Sequence, residues 1–111
     1  MPKYLALFSY SGNAIAAMID NPADREAAVR RITESVGGRL ESFYWMRGKF
    51  DGLVILDAPD SITMAGIEAA VKSSGAIHSE THDLFSADDI QHILERAKLA
   101  RDNFAEPGQS A

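Results

Sequence analysis

Gly48, Phe50 and Asp51 stand within four positions of one another between two apolar runs. A carboxylate so placed can do one of two things. In a hairpin turn the glycine supplies positive φ, the aromatic ring anchors the turn on the core, and the aspartate binds nearby backbone amides. At a pocket mouth the same Asp51 is a general base or a ligand anchor. A second cluster is His78-Ser79-Glu80-Thr81-His82. Strand alternation puts His78, Glu80 and His82 on one face, with neighbours about 6.6 Å apart along the strand. A histidine beside a carboxylate titrates close to neutral pH and can do acid–base work, while a polar strand face can equally line an interface cavity. His78 and His82 are about 13 Å apart and cannot meet on one ion without a bend, and no HExxH pattern supplies a further ligand. No metal and no bound cofactor are therefore expected. A third cluster comprises Ser9, Tyr10, Ser11 and Asn13, with Tyr44 and Trp45 further along. Apolar rings with a few polar handles suit a small-molecule pocket, and Tyr and Trp equally suit a protein interface. The candidate catalytic residues are Asp51, His78 and His82. The candidate ligand contacts are Tyr10, Asn13, Tyr44, Asp51 and His78.

The elements that must position these groups follow from pattern. Lys3 to Tyr10 is short, aromatic and aliphatic, as a buried strand is, and Ser11-Gly12-Asn13 reads as a turn after it. Ala14 to Ile19 is apolar but too short for an independent helix, so it must pack against something. Asn21-Pro22 predicts a helix start, Ala28, Val29, Ile32 and Val36 its apolar stripe, and Gly37-Gly38 its end. Arg39 to Met46 and Leu53 to Leu56 read as strands joined by the glycine-bearing Arg47–Gly52 connection. Pro59-Asp60 caps a second helix with Met64, Ile67 and Val71 inward, and Gly66 within it hints at a close backbone approach. Ala76 to Phe85 is a fourth strand. Ser86 and Asp89 are spaced to cap a third helix bearing Ile90, Ile93, Leu94, Ala97 and Phe104 on one face. The order βαββαβ plus a C-terminal helix predicts a ferredoxin-like α+β fold, an antiparallel sheet with helices on one face. The domain is expected over residues 1–104, with 105–111 a flexible tail.

Composition narrows the function classes. At 111 residues the chain suits one domain, and its 46% hydrophobic and 24% charged content is ordinary for a globular protein. The absence of cysteine excludes disulfides, thiolate nucleophiles and cysteine metal sites, and fits a reducing cytoplasm. Neither a signal pattern nor a membrane-spanning run is visible, so a cytoplasmic location without membrane contact is expected. Domains that bind RNA share the βαββαβ order, but they read basic-Gly-aromatic-Gly-aromatic on their third strand. Here Arg47 to Leu53 offers one aromatic residue followed by an aspartate, and the net charge is −5. No nucleic-acid partner is expected.

The run from Leu40 to Asp51, followed by Ala58-Pro59-Asp60, resembles the GYD-domain family of small bacterial proteins. Tyr4 to Tyr10 and Ile77 to Thr81 resemble it too, and the resemblance extends from residue 2 to about residue 100. The family's glycine–aromatic–aspartate motif is matched by Gly48, Phe50 and Asp51. Phe50 stands where the family name implies tyrosine, so no phenolic hydroxyl is available there. The resemblance implies a ferredoxin-like, dimeric α/β-barrel fold and no particular reaction.

A sheet covered on one face needs a partner for the other, and twofold self-association is the commonest solution, so a homodimer is expected. Three functions fit. The first is a dimeric small-molecule-binding domain, its cavity between sheet and helices or between paired sheets. The second is a cofactor-independent, monooxygenase- or isomerase-like enzyme using Asp51 or the His78/His82 face. The third is a structural interaction module.

Overall fold

The computed structural model describes residues 1–108, so the last three residues of the expected tail lie outside the described residues. The chain runs β1 (Lys3–Tyr10), α1 (Gly12–Asp20), α2 (Arg25–Ser35), β2 (Arg39–Trp45), β3 (Gly52–Asp57), α3 (Ser61–Ser73), β4 (Ile77–Leu84) and α4 (Asp89–Asp102). All four strands pair antiparallel in one sheet ordered β2-β3-β1-β4. The architecture is α+β and consistent with the ferredoxin-like arrangement, with one helix more than the sequence pattern suggested.

That extra helix is α1. Ser11, read from sequence as part of a turn, is its N-cap: the hydroxyl accepts a hydrogen bond from the Ala14 amide at 3.1 Å. Nine residues alone would not hold a helix, and this one rests on β1. Asn21 is thereby the C-cap of α1 rather than the start of α2. The α2 N-cap is Asp24, whose carboxylate accepts from the Ala27 amide at 3.0 Å. Ser86 and Asp89 do form the expected reciprocal pair before α4, with amide-to-side-chain distances of 2.9 and 3.1 Å.

Alternation along the strands separates two faces. Tyr4, Ala6 and Phe8 of β1 join Val54 and Leu56 of β3 and Met64 and Ile67 of α3 in the core on the helix side. The most buried α2 residue is Thr33, fully inaccessible, with its hydroxyl donated to the Val29 carbonyl at 2.8 Å. Leu5, Leu7, Leu53 and Ile55 point to the other face, which no helix covers, and stay half-buried. Gly66 has open space where a Cβ would stand, so the close approach suggested by its position in α3 is not there.

The close approach occurs instead at Gly52. A Cβ there would come within 2.6 Å of the Tyr44 carbonyl oxygen and collide with the Phe8 ring. Gly52 pairs with Phe8 on one side and Trp45 on the other. Its missing side chain lets Phe8 reach across β3 to Phe43 and Trp45 on β2, at centroid distances of 5.5 and 6.0 Å.

Helix α4 leaves this body. The molecule measures 61 × 31 × 24 Å with a radius of gyration of 18.3 Å. A compact chain of this length has a radius of about 13 Å. The apolar face expected on α4 is present in sequence but, among the described residues, packs extensively against no other element.

Candidate ligand-binding cleft

Helix α2 rests on β2 and α3 rests on β4, so the two helices stand over opposite edges of the sheet. Between them the central strands β1 and β3 are left beneath a cleft of about 500 Å³. That volume lies within the usual range for small-molecule sites. The space exists because the walls carry small side chains: Ala14 and Ala17 from α1, Ala28 from α2 and Ala70 from α3. Ala6, Val54 and Leu56 give it an apolar floor.

Few polar groups reach it. At one end the Arg25 Nε donates to the Tyr10 hydroxyl at 3.2 Å, and its guanidinium carbon lies 5.8 Å from the Tyr10 ring centroid. Among the described residues Arg25 has no carboxylate partner. On the floor, Thr81 of β4 carries a buried hydroxyl oxygen with no hydrogen-bond partner. Tyr10 pairs with Ile77 and Ala6 pairs with Thr81, so the two polar points are four residues apart, about 13 Å along the strands. Glu68 lines the α3 wall. A buried hydroxyl without a partner costs free energy.

The sequence candidates do not converge. Tyr10 lines the cleft. Asp51 sits beside it through the backbone: its Oδ2 accepts the Tyr10 amide at 2.8 Å, while its own amide donates to the Phe8 carbonyl at 2.8 Å. The Asp51 carbonyl in turn accepts the Met46 amide at 2.8 Å, and Gly48 takes the turn through φ +128°. Asp51 therefore ties the hairpin to the end of β1. Phe50, expected to anchor this turn, is half-buried outside the core, with the Lys49 ammonium 5.6 Å from its ring centroid. Asn13 is exposed in the first turn of α1, and Tyr44 is 63% exposed on the uncovered sheet face.

His78, Glu80 and His82 share one strand face as alternation predicts, but it is the uncovered face, opposite the cleft. His82 Nε2 and Glu80 Oε2 are 2.8 Å apart, and this contact with His82 holds the Glu80 carboxyl below its ordinary value. Among the described residues no three His, Asp or Glu side chains are grouped to hold a metal ion.

Sequence reading overlooked Thr81, Arg25 and one buried charge. Asp57, the last residue of β3, is 7% exposed and bonded to Lys3 Nζ at 3.0 Å and to Arg39 Nη2 at 3.3 Å. Both partners stand directly opposite it in the sheet register, and Lys3 also bonds Glu41. The Lys3 hydrogen bond dominates in holding the Asp57 carboxyl below its usual value, while Glu41 and then Asp57 raise the Lys3 ammonium.

A family model described as GYD domain matches residues 4–94 of the 111-residue chain. No curated protein matches it. Among the described residues, no helix is long and apolar enough to cross a membrane.

Proposed function

The chain belongs to the GYD domain family, and on that footing we propose that it is a small-molecule-binding domain whose site is the cleft between α2 and α3. The ligand class follows from the lining. An elongated apolar body fits the alanine-walled space, and an anionic end meets the Arg25 guanidinium. The cleft itself carries the reading: about 500 Å³ walled by small side chains over an apolar floor, with the Arg25 guanidinium at one end. An acid–base enzyme on this cleft would rely on Tyr10 or Glu68, since the histidines of β4 face away.

Two dyes test the ligand class. Anilinonaphthalenesulfonate has an aromatic apolar body and one sulfonate; N-phenylnaphthylamine shares the rings without the anion. Arg25→Gln is expected to weaken the sulfonate dye roughly tenfold, the value of one charge-assisted hydrogen bond, and to leave the neutral dye unchanged. Equal loss for both dyes, or for neither, contradicts the assignment.

A further inference from the structure

Helix α4 carries an apolar seam that packs extensively against no other element among the described residues. Ile90, Ile93, Ala97, Ala100 and Phe104 recur at alternating intervals of three and four, the spacing with which one helix presents a seam to another. Phe104 lies just past the helix end, its amide bonded to the Arg101 carbonyl at 3.2 Å. The apolar residues of this side are exposed, 42% at Ile90, 37% at Ile93, 58% at the neighbouring Leu94 and 66% at Phe104. Beneath the root of the helix is a hollow of about 1060 Å³ whose apolar lining includes Met1, Leu84, Phe85 and Ile93.

We infer that α4 is a dimerisation arm: two copies of this chain pair their α4 helices antiparallel about a twofold axis at Ala97, each seating its distal end in the hollow at the root of the partner's helix. The seam is its own complement under that operation. Reversal about Ala97 sets Ile90 against the partner's Phe104, while alanines occupy the crossing point and let the backbones approach. The area is sufficient. Ile90, Ile93, Leu94 and Phe104, with Phe85 and Met1 at the root, leave on the order of 500 Å² of apolar side chain in water per copy, at the upper end for an unpartnered patch. Two copies bring about 1,000 Å² together, the size at which specific interfaces begin. An arm extending from a 61 Å molecule reaches a second copy without disturbing the sheet or the cleft.

The chain contains no cysteine, so single cysteines report the geometry cleanly. Light scattering should give twice the chain mass at micromolar concentration for the unaltered protein and the single-chain mass for Ala97→Glu. Circular dichroism should be unchanged, because α4 barely touches the body. Under mild oxidation Ala97→Cys should join two chains by a disulfide, since that position meets itself at the axis. Leu99→Cys, about 160° around the helix from Ala97, should not. A monomeric unaltered protein, a dimer that survives Ala97→Glu, or equal cross-linking at both positions would overturn the arm.

Discussion

Replacing Thr81 by valine tests what its buried hydroxyl costs the fold. Thr81 pairs with Ala6 in the sheet, and its hydroxyl oxygen is buried without a partner. Valine keeps the branched shape that strands favour and exchanges the hydroxyl for a methyl group. An unsatisfied buried polar group costs about 1–3 kcal/mol, so the free protein should gain at least about 1 kcal/mol. For a domain near 100 residues that is a rise in Tm of about 4–8 °C. Urea unfolding should show a higher midpoint at an unchanged m value, the sign of altered stability without altered compactness. Because that oxygen is closed off from the cleft, the same substitution should leave dye binding there unchanged. A variant less stable than the parent by 1 kcal/mol or more would refute the reasoning, because the hydroxyl would then have been bonded all along.

Three further outcomes follow from the fold. Gly66→Ala should stabilise by about 1 kcal/mol in chemical denaturation, since its Cβ enters open space and helix propensity alone decides; a loss would mean that something covers that side of α3. Gly52→Ala should destabilise by about 1–3 kcal/mol and shift the near-ultraviolet dichroism of the Phe8, Phe43 and Trp45 cluster, because the new methyl meets the Phe8 ring and the Tyr44 carbonyl. An unchanged spectrum and melting curve would contradict that packing. Asp57→Asn tests the buried charge. The Asp57 carboxyl is depressed, so its stabilisation is present above the ordinary carboxylate value and is lost as pH falls through the depressed one. Lys3 is raised, so its share holds below the ordinary lysine value and is lost as pH climbs past the raised one. The variant should melt lower at neutral pH, by the equivalent of about 1–3 kcal/mol, with a flatter acid limb; parallel pH profiles would contradict the ion network.

Local patterns in the sequence matched local structure, and long-range encounters escaped it. Strand alternation placed His78, Glu80 and His82 on one face, and the Ser86–Asp89 spacing formed its reciprocal cap. Elsewhere packing overrode the local signal. Ser11-Gly12-Asn13 has turn chemistry, but the Ser11 hydroxyl caps α1 because β1 gives that short helix a surface to rest on. Asn21 and Asp24 are both good caps, and α1 used the first as its end. Asp57 was invisible because its partners, Lys3 and Arg39, come from other strands and meet it only through register. The cleft could not be read either. It depends on α2 and α3 standing apart over opposite sheet edges, which no single segment encodes. Tyr10 was found because aromatic residues at strand ends are visible in a sequence, whereas Thr81 looked like one more polar residue of β4.

The cleft itself is tested most directly by filling it. Ala28 of α2 and Ala70 of α3 both line the space, and phenylalanine at both positions would narrow it from two walls. The account predicts saturable binding of one anilinonaphthalenesulfonate per chain by the unaltered protein in a fluorescence titration. It predicts loss of that binding in the Ala28→Phe/Ala70→Phe variant, with α4 and its exposed seam left intact. Undiminished binding by the filled variant would place the ligand elsewhere and contradict the proposal.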